Sequence, residues 1–224
     1  MPKEKVEVLG EEMRAYHFTS GVNWESIRAK GSLEPYSTPE IPLLGLPTNP
    51  YTQSQMQRIE HIIASNPRYW NGNFLVAIPE SGLNGWKENE LMDRVIMRCR
   101  DGITNKVVLL SFSVDVSNGS YIKDHTHFSP KRFIELYGKD LSDFVTLLLD
   151  SEGGEIERLL QQFELCSDSV IGLGDYNGSY QAPELWIAQP IPLNRLKLEN
   201  QFDFWGYFRS KHINFPLTTG HLHV

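Results

Sequence analysis

The chain is expected to fold as a single α+β domain, and three observations carry that expectation. Apolar residues recur at two different spacings, one helical and one typical of strands, in separate segments along the chain. The 224 residues, 40% hydrophobic and 22% charged, suffice for one proper core. No internal repeat, low-complexity tract or evident linker divides them.

The first unit runs from Tyr16 to Gly31. A short strand carrying His17 and Thr19 leads into a helix, with Ser20 placed to accept from an orphan amide and Gly31 placed as the left-handed stop. Val22 and Ile27 are expected to share a helical face, with Leu33 giving an apolar contact after the stop. Polar side chains and free backbone N–H groups meet at this junction, a suitable seat for a polar or phosphorylated ligand. By itself His17 reads equally well as a hydrogen-bonded core residue.

The segment 34–50 holds five prolines and is expected to be an extended surface loop, a candidate flap over a site. Met56, Ile59, Ile62 and Ile63 predict a helix from Thr52 to Ser65, ended by Pro67. The run Phe74 to Ile78, closed by Pro79, reads as a buried strand; Leu91, Val95 and Cys99 predict a helix over roughly 90–100. Residues 106–116 are the strongest strand and the candidate centre of the sheet. Ser129-Pro130 marks a helix start with a stop at Gly138, and a second helical stretch covers 140–150. Glu152-Gly153-Gly154 reads as a turn before a helix from Glu155 to Cys166. A Gly- and Asn-rich loop, 172–180, leads into a strand over Pro183 to Ala188, and the aromatic C-terminal segment is expected to pack on the sheet.

A net charge of −7 argues against wholesale binding to nucleic acid. The clusters Arg94, Arg98, Arg100 and Lys131, Arg132 read as solvated helical faces. Cys99 and Cys166 lack metal-ligand spacing and read as buried thiols. With no long apolar run, neither a signal peptide nor a membrane span is expected, and a cytoplasmic location is the default.

Two constellations could carry chemistry. His125/His127 and His221/His223 each place imidazoles two residues apart, which on a strand would face them the same way, as in a metal-dependent hydrolase; the sequence offers no third ligand, and no metal is expected. No Gly-x-Ser-x-Gly elbow or activated cysteine points to a covalent nucleophile. The second constellation pairs His17 with Glu184, at the start of a strand behind a flexible loop. A carboxylate there could stabilise positive charge at an anomeric carbon, and the alternative is an ordinary surface acid.

Tyr16-His17-Phe18-Thr19-Ser20, Asn23-Trp24, Ile27, Gly31 and Leu33 resemble the first strand and helix of the ADP-ribosyltransferase superfamily. They are most similar to its DNA-targeting toxins and, more distantly, to NAD-dependent RNA 2′-phosphotransferases. Pro183-Glu184-Leu185-Trp186-Ile187 and Pro190-Ile191-Pro192-Leu193 resemble its last catalytic strand and the strand after it. The resemblance covers about forty residues at the two ends of the chain. It implies a split mixed β-sheet flanked by helices, NAD as substrate, and transfer of ADP-ribose to a macromolecular acceptor. It further implies that His17 binds ribose hydroxyls, assisted by Thr19, Ser20 and Asn23, and that Glu184 stabilises the oxocarbenium-like transition state. Loop 172–182 would recognise the acceptor. Families of the His-Tyr-Glu type also stack an aromatic on nicotinamide. Phe112 with Ser113, Tyr121 and Tyr36 are the candidates here, and a site lacking that aromatic would be a non-catalytic binding module.

Overall fold

A computed structural model describes residues 12–37, 52–66, 73–116, 119–129 and 153–211. Most of the proline-rich segment, the two helical stretches over 130–150, and His221 and His223 lie outside these residues.

The strands are β1 (Glu12–Ser20), β2 (Ser32–Leu33), β3 (Tyr36–Ser37), β4 (Asn73–Pro79), β5 (Lys106–Asp115), β6 (Tyr121–Asp124), β7 (Ile171–Gly172), β8 (Pro183–Ile187), β9 (Ile191–Pro192) and β10 (Lys197–Asp203). The helices are α1 (Gly21–Lys30), α2 (Gln53–Ser65), α3 (Leu83–Glu88), α4 (Met92–Arg98), α5 (Gly153–Asp168) and α6 (Phe204–Lys211). The class is therefore α+β, as the two periodicities predict. The main sheet runs β10-β5-β1-β4-β8-β6-β7, with β3 also on β4. Every registered pair in it is antiparallel, which corrects the expectation of a mixed sheet: among the described residues no strand lies beside one running its own way.

Strand β4, not β5, holds the middle of that order. It pairs with β8 over Leu75–Ala77 but with β1 only at Ala15↔Pro79 and Tyr16↔Ile78, whereas β1 and β5 pair along nine residues from Glu12 to Ser20. The two halves of the sheet, β10-β5-β1 and β8-β6-β7, are joined through one strand that hands over between Ala77 and Ile78. Beyond Tyr16 the β1–β4 ladder stops, and the site lies along this parting.

Alternation along the strands fills both faces. Met13, Ala15, Leu110, Phe112, Leu185 and Ile187 belong to one apolar cluster. Ile78, Trp86, Leu91, Ile96, Val107 and Phe204 form the other, with Phe18, Phe202, Tyr207 and Phe208 packed on it. The C-terminal aromatics thus cover the sheet as expected, although Trp205 stays 38% exposed. Cys99 and Cys166 are buried free thiols.

The ends of α1 follow the sequence reading. Ser20, extended at φ −79° and ψ 162°, accepts from the Asn23 amide at 3.1 Å, and Gly31 at φ +82° donates its N–H to Ile27. Ile27 is buried and Val22 exposed, because five helical positions turn them to different faces. Replacing Ser20 by Ala is expected to cost about 1 kcal/mol in urea unfolding. Thr52 and Gln55 form a reciprocal capping box on α2. Arg58 of α2 holds Glu164 of α5 through two bonds of 2.6 and 2.7 Å. Helix α5 begins at Gly153, so the two glycines read as a turn are already helical.

Candidate functional site

A cavity of about 960 Å³ opens along the parting of β1 from β4. Its lining includes His17, Thr19, Ser20, Asn23 and Glu184, so residues from both ends of the chain share one wall system. Phe112, Ser113 and Tyr121 are not among the lining residues. Phe112 is 4% exposed in the apolar cluster, Ser113 accepts from Arg195 through its carbonyl, and Tyr121 packs edge-on against Phe74. Tyr36 on β3 does line the cavity and is 46% exposed.

His17 sits where the β1–β4 ladder ends. Its Nδ1 lies 2.8 Å from the carbonyl oxygen of Val76, which only accepts, so Nδ1 carries the proton and Nε2 is left as an acceptor. Burial holds the imidazole below its ordinary pKa and so neutral. A neutral ring anchored through Nδ1 can receive a hydroxyl proton at Nε2.

Glu184 is 3% exposed and is the one buried acid in the strand β8. Its Oε1 accepts from Trp186 Nε1 at 2.8 Å and lies 3.2 Å from Lys123 Nζ, the residue facing it across the β6–β8 ladder. Lys123 also sits 4.8 Å over the Trp186 ring. Oε2 is 3.4 Å from His125 Nδ1. The His125 ring stacks on Trp86, centroids 5.1 Å apart at 10° between planes. Glu184 is thus a buried, oriented carboxylate rather than a surface acid.

Burial pushes the His125 pKa down to about 3, against the pull of Glu184 and with the help of Lys123, Arg98 and Arg94, so the Glu184 contact is not an ion pair at neutral pH. The unfolded imidazole titrates near 6.5, so between these values the unfolded chain binds the extra proton. Stability from this group is complete above about pH 6.5 and falls as pH drops towards 3, by about 1.4 kcal/mol per unit. His17 acts in the same direction. His125→Gln should flatten the decline in urea midpoint between pH 6.5 and 4.5.

The helix start is already occupied. Asp101 Oδ2 accepts from the Val22 amide at 3.2 Å while Ser20 takes that of Asn23. The Asp101 carboxyl stays well below its usual range, chiefly through the Thr104 hydroxyl. The expectation that these amides are open to a ligand phosphate is therefore corrected: the protein supplies its own anion there.

Asp124 ends β6, and its Oδ1 accepts from the Thr126 amide at 3.0 Å, turning the chain into a 3-10 turn over Thr126–Phe128. His125 and His127 consequently do not share a strand face. No group of three or more His, Cys, Asp or Glu side chains able to hold a metal ion occurs among the described residues. None of the described helices is long and apolar enough to cross a membrane.

Lys123, Trp86, Arg94 and Arg98 were not read as site residues, His125 was read only as half of a His-x-His metal pair, and the arginines read as solvent-facing. The only local signal was the Glu-x-Trp spacing of Glu184 and Trp186, which puts both on one strand face. Comparison with family models, curated proteins and solved structures gives no match.

Proposed function

We propose that the protein cleaves the nicotinamide–ribose bond of NAD and transfers ADP-ribose to a macromolecular acceptor. The observation that carries this reading is the placement of His17 and Glu184 on one cavity, at the point where β1 leaves β4. The cavity volume falls within the range of about 300–1,000 Å³ usual for small-molecule sites. In this reading His17 Nε2 accepts from a ribose hydroxyl, and Thr19 and Asn23 add polar contacts. Glu184 faces the anomeric carbon, where its negative charge offsets the positive charge that develops as nicotinamide departs. Tyr36, aromatic and half-exposed on the wall, takes the role of nicotinamide platform.

The test is incubation of the protein with NAD, following nicotinamide release and thermal shift. Release above the uncatalysed rate supports the reading; neither release nor shift removes it.

One observation favours the second reading, a binding module without turnover. Glu184 is engaged by both Lys123 and Trp186, so a substrate hydroxyl must compete for that oxygen or use Oε2. Tight NAD binding with no nicotinamide release would select this alternative.

A further inference from the structure

The charge on the cavity wall opposes that of the whole chain. Against a net charge of −7, the described lining carries Lys30, Arg94, Arg98 and Lys123 but only Glu34 and Glu184 as acids. Lys123 and Glu184 pair with one another and cancel, which leaves Lys30, Arg94 and Arg98 against Glu34, itself held by the Ser32 hydroxyl. A low-dielectric recess with surplus positive charge concentrates field and attracts anions far more than the same charges on an open surface.

Two of these cations belong to one helix. Arg94 and Arg98 stand four residues apart on α4 and therefore on one helix face. That face, with Leu91, Val95 and Cys99, lines the cavity. Arg98 is exposed, and no carboxylate pairs with it among the described residues. Both arginines line the cavity that His125 and Glu184 also line. Arg100, two residues further on, instead covers the Trp205 ring at 4.8 Å and is not part of the lining.

We infer that Arg94 and Arg98 form a phosphate subsite of this cavity, made by side chains of α4 because Asp101 already occupies the start of α1. Guanidinium forks suit phosphate oxygens, and a pair one turn apart spans one or two phosphate groups. The inference concerns the same site as the NAD reading and borrows from it only the identity of one phosphate source. The other source is a phosphate on the acceptor.

The test is calorimetric titration of inorganic pyrophosphate, at fixed salt, into the wild type, Arg98→Ala and Arg100→Ala. Arg98→Ala should bind about tenfold more weakly and Arg100→Ala as the wild type does. Equal affinity of the two variants, or no binding to the wild type, overturns the subsite. NAD and nicotinamide riboside titrated into the same proteins separate the sources. Weakened NAD with unchanged riboside assigns the subsite to the donor's diphosphate; unchanged NAD with weakened pyrophosphate assigns it to the acceptor. If neither nucleotide binds while pyrophosphate still separates the two variants, the NAD reading fails and the subsite stands.

Discussion

Glu184→Gln is expected to lower nicotinamide release from NAD by a factor of about 10² to 10³, equivalent to roughly 3–4 kcal/mol of transition-state stabilisation. The substitution keeps shape and leaves an amide oxygen for Trp186 Nε1, so the geometry at 2.8 Å has a partner of the same size. It removes the charge that would face a developing oxocarbenium ion. It also leaves Lys123, whose side chain is 9% exposed, as a buried cation without its carboxylate. Breaking one side of a buried pair costs about 3–5 kcal/mol, so the variant should unfold earlier as well as turn over more slowly. The double variant Lys123→Met/Glu184→Gln separates the two effects, because removing both charges is close to neutral for stability. It should regain most of the melting temperature and none of the activity. Recovery of nicotinamide release in the double variant would mean that Glu184 acts only as the counter-ion of Lys123.

How much of this was legible in sequence depends on the range of the interaction. Ser20 and Gly31 act on neighbours within a few residues, so the limits of α1 follow directly from residue type. Convergence is a different matter. Lys123 reaches Glu184 only because β6 and β8 pair in the register Lys123↔Glu184, which four residues of β6 do not announce. Misplacing β5 has the same origin: its Val- and Leu-rich sequence reports burial, which it has, but its position depends on a polar strand, β10, that closes the edge beside it. Phe112 looked available as a platform because strand alternation does not say which face is solvent, and here it points into the apolar cluster. The arginines of α4 are a related case: they read as a solvated face, and Arg98 is exposed, but nothing local indicates that Arg94 and Arg98 also border a cavity.

Gly85→Ala should be among the most damaging small substitutions in the chain, and helix propensity alone would give the opposite sign. Alanine is favoured over glycine inside a helix by about 1 kcal/mol. A Cβ at position 85, however, would lie 1.6 Å from the backbone oxygen of Gln181 and 2.7 Å from its carbon. Those are main-chain atoms of the segment entering β8, so no side-chain rotation relieves the overlap. At Gly31 the case differs: nothing lies within 4 Å of a Cβ there, and a substitution meets only the penalty of φ +82°. Helix α3 must either lift away from residues 181–183 or push them. Lifting breaks the 2.7 Å bond from Trp86 Nε1 to the Pro183 carbonyl and unstacks Trp86 from His125; pushing displaces Glu184, the next residue. The expected loss is about 3 kcal/mol or more, a fall in Tm on the order of 10 °C. The two responses are separable by NAD titration at a temperature where both proteins are folded. A lifted α3 opens the wall carrying Trp86 and weakens nucleotide binding, whereas a displaced β8 entry leaves binding and lowers turnover through Glu184. An unchanged Tm would mean that α3 does not pack on the β8 entry and does not buttress Glu184 in the cavity.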